Sequence, residues 1–130
     1  MTPLEVVQEF IDRINRHDVK GLCDLMTEDH VFIDSLGVRV QGREEMRKGW
    51  IQYYYLVPDY EIVCKEMIAH GATVGGFGLA RGTYAAGGKI IKENSWEMPA
   101  AWRALIRQER IAEWQVYADN EPVRKFLEKR

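Results

Sequence analysis

The sequence has little of what a metal site or a disulfide framework needs. Its 130 residues include 2 cysteines and 3 histidines, and no pair of histidines has a spacing typical of metal ligands. Cys23 and Cys64 lie far apart without a Cys-x-x-Cys motif, which favours two buried thiols over a disulfide. We therefore expect neither a metal ion nor another cofactor.

The chain also lacks a long apolar run and a block of like charge. The longest uncharged stretches, residues 50–58 and 68–80, are shorter than the about 18 to 20 apolar residues of a membrane span. The formal net charge is -2, with Lys and Arg spread along the chain, so neither nucleic acid nor membrane is expected as a partner. The first residues lack the features of a signal peptide, which predicts a cytoplasmic protein.

What is present is the pattern of one globular domain over residues 1–130, with 46% hydrophobic and 29% charged residues. Thr2-Pro3 followed by apolar residues at helical spacing predicts a first helix that ends near Asn15. A second helix is predicted over residues 19–26, and residues 27–30 are predicted as a turn. Residues 31–34 and 38–41 are predicted as a hairpin, and a third helix is expected to open at Gly42 and to end at Pro58.

The second half of the chain is predicted to form four antiparallel strands, over residues 60–68, 73–85, 91–108 and 110–118. A bulge is expected at Pro99, because proline cannot donate to a ladder. A short helix is predicted over residues 121–127. Helices segregated from a run of strands indicate an α+β fold, with a sheet that curls around the first helix and a pocket on its concave side.

Three segments resemble a known superfamily in order and spacing. They are residues 6–18, ending in Asn15-Arg16-His17-Asp18, then Phe32-Ile33-Asp34-Ser35-Leu36-Gly37 with Gly42-Arg43-Glu44-Glu45-Met46, and finally residues 110–119. Together they are similar to the nuclear transport factor 2-like superfamily, in particular to SnoaL-like polyketide cyclases and ketosteroid isomerases. The resemblance implies a cone-like α+β barrel, with three N-terminal helices packed on a curved, mostly antiparallel sheet, and a homodimer.

Asp34 is the leading catalytic candidate. It follows the strand that carries Phe32 and shares its face, so an inward Phe32 brings the carboxylate inward as well. By resemblance, Asp34 matches the general base of ketosteroid isomerases, which takes a proton from the carbon beside a carbonyl. The alternative is that Asp34 only caps the turn formed by residues 35–37.

The donors that accompany this base in ketosteroid isomerases are absent. The matching positions hold Phe10, Trp50 and Trp102, so steroid isomerisation is not expected. Val116 stands where limonene epoxide hydrolases and polyketide cyclases are expected to have a carboxylate. A Tyr53 or Tyr54 hydroxyl, or a water, is the candidate replacement donor, with core packing as the alternative for both tyrosines.

Aromatic side chains are expected to line the pocket, or else to fill the core. Alternate residues of one strand share a face, and the neighbouring strand presents its own set to the same side. Glycines at 75, 76 and 78 on the facing strand leave room for a cavity, for sheet curvature or for a dimer partner. The predicted binding surface for a small apolar molecule consists of Phe10, Phe32, Trp50, Tyr53, Trp96, Met98, Trp102, Trp114 and Val116.

Asp119, at the end of the last strand, is a further catalytic candidate as an acid at the pocket mouth, or else the N-cap of the final helix. We expect a SnoaL-like protein that works without a cofactor as an isomerase, cyclase or lyase on an apolar carbonyl compound. The alternative is a non-catalytic ligand-binding or dimerisation module of the same fold.

Overall fold

The structure is a computed structural model that describes residues 1–86, 89–119 and 121. Its elements follow the predicted order of three helices and a hairpin before the long strands. In chain order they are α1 (Pro3–Asn15), α2 (Val19–Asp24), β1 (Met26–Ile33), β2 (Arg39–Gln41), α3 (Arg43–Leu56), β3 (Glu61–His70), β4 (Thr73–Ala86), β5 (Lys89–Arg107) and β6 (Arg110–Ala118).

The first helix, α1, is specified by its own sequence. The Thr2 hydroxyl accepts from the Glu5 amide at 3.1 Å, and the Glu5 carboxylate accepts from the Thr2 amide at 2.9 Å, which forms a capping box. Pro3 occupies the first turn, where no intrahelical amide bond is needed. The apolar face of α1 packs against β3, β4, β5 and β6 and is entirely buried. It consists of Val6, Val7, Phe10, Ile11 and Ile14.

Six strands form one curved sheet in the order β2-β1-β6-β5-β4-β3. Every neighbouring pair is antiparallel except β1 and β6, which run parallel. The sheet does not close, since β2 and β3 remain its two edges. Three helices on a curved, mostly antiparallel sheet confirm the predicted α+β fold.

The prediction was wrong at the start of β1. Residues 27–30, predicted as a turn, belong to this strand, and α2 ends at Asp24 instead of residue 26. The cause is tertiary, because β6 supplies a partner that the local sequence does not reveal. The Ile111 amide donates to the Leu25 carbonyl at 2.7 Å, and His30 Nδ1 donates to the Ile111 carbonyl at 2.8 Å. These contacts outweigh the turn preference of a polar segment.

The expected bulge at Pro99 is also wrong. Pro99 pairs in register with Leu79, and the irregularity between β4 and β5 lies between Thr83 and Ala85 instead. Pairing of β5 with β6 begins at Ala100, one residue after Pro99, so a missing amide hydrogen is tolerated on that side of the strand. The predicted helix over 121–127 lies outside the described residues, apart from Glu121.

Gly78 is required by a close approach of β3 to β4. A Cβ atom at this position would come within 1.8 Å of the Val63 carbonyl oxygen. Because this oxygen belongs to the backbone, no side-chain movement could remove the clash. The pairing of the two strands shifts register just beyond, between Cys64 and Glu66. Gly78 therefore serves strand packing, and none of the β4 glycines lines the cavity described below.

Among the residues that the structure describes, no helix is long and apolar enough to cross a membrane. The same part of the chain contains no group of three or more His, Cys, Asp or Glu residues that could hold a metal ion. Cys23 and Cys64 are free and partly buried.

The burial of His30 predicts that the stability of the folded protein depends on pH. Its imidazole is 1% exposed, and this burial lowers its pKa below the ordinary value of 6.5, although the Ile111 carbonyl, Asp29 and Glu113 oppose the shift. As the pH falls below about 6.5, the unfolded chain takes up a proton that the folded chain resists. We expect the free energy of unfolding, measured by denaturant titration, to fall by up to about 1.4 kcal/mol per pH unit in this range.

The matched variant for this prediction is His30→Gln, whose amide can still donate toward Ile111 but does not titrate. We expect the variant to lose stability at every pH and to show a flatter pH dependence between about pH 7 and 5. Equal slopes in the two proteins would contradict the assignment to His30.

Candidate functional site

The concave side of the sheet, together with α1 and α3, encloses a cavity of about 410 Å³. Its lining side chains come from α1, the β1–β2 hairpin, α3 and strands β3 to β6. Most of them are apolar or aromatic. A volume of this size is within the range of ordinary small-molecule sites.

Most of the site residues predicted from the sequence meet at this cavity. On β5 the inward positions alternate with exposed ones, as the strand parity predicts. The predicted residues that line the cavity are Phe32, Asp34, Trp50, Tyr53, Trp96, Met98, Trp102, Trp114 and Val116.

Phe10, Tyr54 and Asp119 do not line the cavity, because each is used elsewhere in the fold. Phe10 is fully buried and packs on Trp114, with ring centroids 4.9 Å apart. The Tyr54 hydroxyl donates to the backbone carbonyl of Ile14 at 2.7 Å. Asp119 accepts from the Glu121 amide at 3.0 Å, and the helix that it was expected to cap lies outside the described residues apart from Glu121.

Asp34 caps the hairpin turn and also lines the cavity. Its Oδ1 accepts from the backbone amides of Leu36 and Val38, each at 2.9 Å, so this oxygen holds the hairpin turn. Its Oδ2 forms no hydrogen bond with any residue that the structure describes. The side chain is partly exposed and lines the cavity. One carboxylate oxygen thus holds the turn, and the other is not used by it.

The register of β1 on β6 determines where Asp34 lies. Phe32 pairs with Trp114 and Ile33 with Gln115, which brings Asp34 beside Val116 on the cavity face. From the other side of β6, Trp102 pairs with the same Val116. The carboxylate therefore lies in the row of the sheet that Trp102 and Val116 define.

The opposite end of the cavity is built from Trp50, Tyr53, Tyr60 and Trp96, and we call these four residues the aromatic end. The rings of Tyr53 and Tyr60 meet edge to face at 4.9 Å, and those of Tyr60 and Trp96 lie 6.1 Å apart. Burial raises the pKa of both tyrosine hydroxyls, so each stays protonated and able to donate at neutral pH.

Sequence reasoning missed Tyr60 and Glu45, which also line the cavity. Tyr60 follows Pro58 and Asp59, where a strand was expected to begin, and it has the same parity as the inward-facing Ile62. That parity was the available signal. Glu45 was noticed only as part of the opening of α3, and nothing in the local pattern distinguishes it from Glu44, which does not line the cavity.

The protein-family model of the SnoaL-like domain matches residues 7–114 of the chain. The chain belongs to the SnoaL-like domain family. Among curated protein sequences, none matches this SnoaL-like protein.

Solved structures of similar fold come from several bacteria. A candidate SnoaL-like polyketide cyclase from Shewanella putrefaciens is 18% identical, with a TM-score of 0.82 and 100% and 98% of the two chains covered. IdmH, a candidate polyketide cyclase from Streptomyces antibioticus, is 21% identical, with a TM-score of 0.80 and 98% and 99% covered. A protein with a ketosteroid isomerase-like fold from Catenulispora acidiphila, in complex with trimethylamine, is 18% identical, with a TM-score of 0.75 and 87% and 84% covered. At these identities the likeness establishes the fold alone.

Removing the hydroxyl group should affect the stability of the protein differently at two neighbouring tyrosines of α3. Tyr54→Phe removes the hydrogen bond to the Ile14 carbonyl and should reduce the free energy of unfolding by about 1 kcal/mol. Tyr53→Phe removes a hydroxyl that bonds to no described residue, so it should leave stability unchanged or slightly raised. Urea denaturation measures both. An equal loss in the two variants would show that the hydroxyl of Tyr54 is not used as described.

Proposed function

We propose that this SnoaL-like protein binds a small, largely apolar carbonyl compound and acts on it as an isomerase, cyclase or lyase, with Asp34 as general base. The observation that carries the proposal is the free Oδ2 of Asp34 at an apolar, aromatic cavity. The candidate polyketide cyclases among the structural neighbours support the same class of reaction.

In this reaction Asp34 Oδ2 takes a proton from the carbon next to the carbonyl group. The electron pair of the broken C–H bond moves into the carbonyl, and its oxygen becomes an enolate. A water is the donor to that oxygen, because the Tyr53 hydroxyl, the other candidate from the sequence, lies at the opposite end of the cavity. The enolate then regains the proton at another carbon, attacks a second carbonyl or expels a leaving group, which gives isomerisation, aldol-type cyclisation or elimination.

The remaining lining residues would act as binding surface. Flat aromatic walls from Trp102 and Trp114, whose rings stack 6.5 Å apart, suit a planar ligand. Phe32, Met98 and Val116 complete an apolar surface beside the carboxylate.

We also propose that the working form is a cytoplasmic homodimer. Native mass spectrometry of the purified protein should show the mass of two chains, with a co-purified apolar compound. A monomer would contradict the dimer, and a protein that takes up no added aromatic ketone would contradict ligand binding.

Asp34→Asn tests the base directly. Asparagine keeps an Oδ1 that can accept from the Leu36 and Val38 amides, so the turn is preserved while the basic oxygen is lost. Proton abstraction can be followed without a known substrate, as deuterium uptake beside the carbonyl of aromatic ketones such as 2-tetralone in D2O. We expect the wild-type protein to accelerate uptake, and Asp34→Asn to lose at least about 100-fold of that acceleration.

Glu45→Gln is the matched control, because Glu45 is a second carboxylate that lines the cavity. We expect this variant to retain most of the exchange activity. If Asp34→Asn exchanges as fast as the wild-type protein, or if only Glu45→Gln is impaired, Asp34 is not the base.

A non-catalytic ligand-binding or dimerisation module is the second candidate function. It is favoured by the Oδ1 of Asp34, which is fully used by the turn, and by the apolar rings of Phe10 and Trp102 where ketosteroid isomerases are expected to have donors. Binding of aromatic ketones without any accelerated exchange would support this module over the enzyme.

A further inference from the structure

The aromatic end contains hydrogen-bond donors that have no acceptors. The indole N–H groups of Trp50 and Trp96 are buried and make no hydrogen bond within the described part of the chain. These two side chains are 8% and 7% exposed. The hydroxyls of Tyr53 and Tyr60 likewise bond to no described residue. Buried donors are nearly always paired in folded proteins, so the two buried indole N–H groups need an explanation. The two tyrosine hydroxyls add unpaired donors at the same end of the cavity.

The polar groups near the aromatic end are bonded to other residues. The Asp59 carboxylate, close to Gly82, already accepts from the amide and the hydroxyl of Thr83 at 2.6 and 2.7 Å. The Tyr60 carbonyl accepts from His17 Nε2 at 2.8 Å. The aromatic end is thus rich in unpaired donors, and a ligand with an acceptor oxygen would complement it.

The acceptors that line the cavity lie at the other end. Asp34, in the hairpin, and Glu45, in the first turn of α3, are both carboxylates. Glu45 and Tyr53 are eight residues apart on α3, which corresponds to about 12 Å along the helix axis. On β5, Trp102 is level with Asp34 across the sheet. Trp96 is six residues from Trp102 on the same strand, which corresponds to about 20 Å along the strand axis. The cavity is therefore polarised along its length.

The rings of the aromatic end are held in place without their polar hydrogens. Tyr60 is fixed through its backbone, because its amide donates to the Val57 carbonyl at 3.1 Å and its carbonyl is bound by His17. A Cβ atom at Gly82 would lie 2.4 Å from Val57 Cγ1 and 3.2 Å from Trp96 Cζ2, so the glycine makes the space that the indole occupies. The Tyr60 hydroxyl is left without a hydrogen-bond partner among the described residues.

We propose that the aromatic end is a binding subsite for a carbonyl-type oxygen of the ligand, with Tyr60 and Tyr53 as its donors and the indoles of Trp96 and Trp50 around them. The ligand that fits is a planar, elongated aromatic ketone or quinone, whose acceptor oxygen at this end is remote from the carbon that faces Asp34. The inference rests on the proposed function, because it requires that the cavity take up a small molecule.

The test compares 1-tetralone with tetralin, two bicyclic compounds of similar shape that differ by one carbonyl oxygen. Affinities are measured by isothermal titration calorimetry for the wild-type protein and for Tyr60→Phe and Trp96→Phe. We expect the preference for tetralone over tetralin to fall about fivefold in Tyr60→Phe, because one hydrogen bond to the ligand is lost. Trp96→Phe should also reduce the ratio of tetralone affinity to tetralin affinity. Using this ratio cancels changes in packing that affect the binding of both compounds equally.

Tyr55→Phe is the matched control, since Tyr55 is on α3 close to Tyr53, is 66% exposed and does not line the cavity. Its tetralone preference should equal that of the wild-type protein. Tyr60→Phe should unfold at the wild-type temperature, because its hydroxyl bonds to no described residue. In 1H–15N spectra, the indole resonances of Trp50 and Trp96, assigned from the variants, should shift with tetralone and stay in place with tetralin.

The outcomes separate the two levels of the proposal. If both compounds bind and the preference is the same in the wild-type protein and in Tyr60→Phe, the oxygen subsite is overturned while ligand binding stands. If neither compound binds, the subsite and the proposed function are overturned together.

Discussion

The parallel pairing of β1 with β6 joins the beginning of the chain to its last described strand, and the candidate site depends on it. His30 and Ile111, which are 81 residues apart, meet through a buried hydrogen bond that fixes the register. The same pairing places Phe32 beside Trp114. A slip by one residue would exchange the two faces of β1, and Asp34 would then point away from the cavity.

Local sequence signals predicted the parts of the fold that local forces determine. The Thr2 capping box and the periodic apolar face predicted α1, and strict alternation predicted the inward residues of β5. The segment before His30 was misjudged because its polar residues resemble a turn, whereas a distant strand provides their partners. Contacts of such long range leave no periodic trace in a short window.

The three consecutive tyrosines of α3 show where prediction of the site reaches its limit. Successive helical residues point about 100° apart, so at most part of the run can face one cavity. Tyr53 lines the cavity, Tyr54 bonds to α1, and Tyr55 is exposed. The angular spacing follows from the sequence, but the rotation of α3 relative to α1 and the sheet is set by packing. Of the four residues of the aromatic end, only Tyr60 was missing from the predicted binding surface.

The two amide hydrogen bonds to Oδ1 of Asp34 have a consequence for the entropy of any reaction at Oδ2. A carboxylate on a free side chain loses rotational freedom each time it aligns with a substrate. Here the rotamer is already fixed when the hairpin folds, so that loss belongs to folding and is not repeated at each encounter. The turn thereby preorganises the direction from which Oδ2 can approach a C–H bond, independently of what fills the cavity.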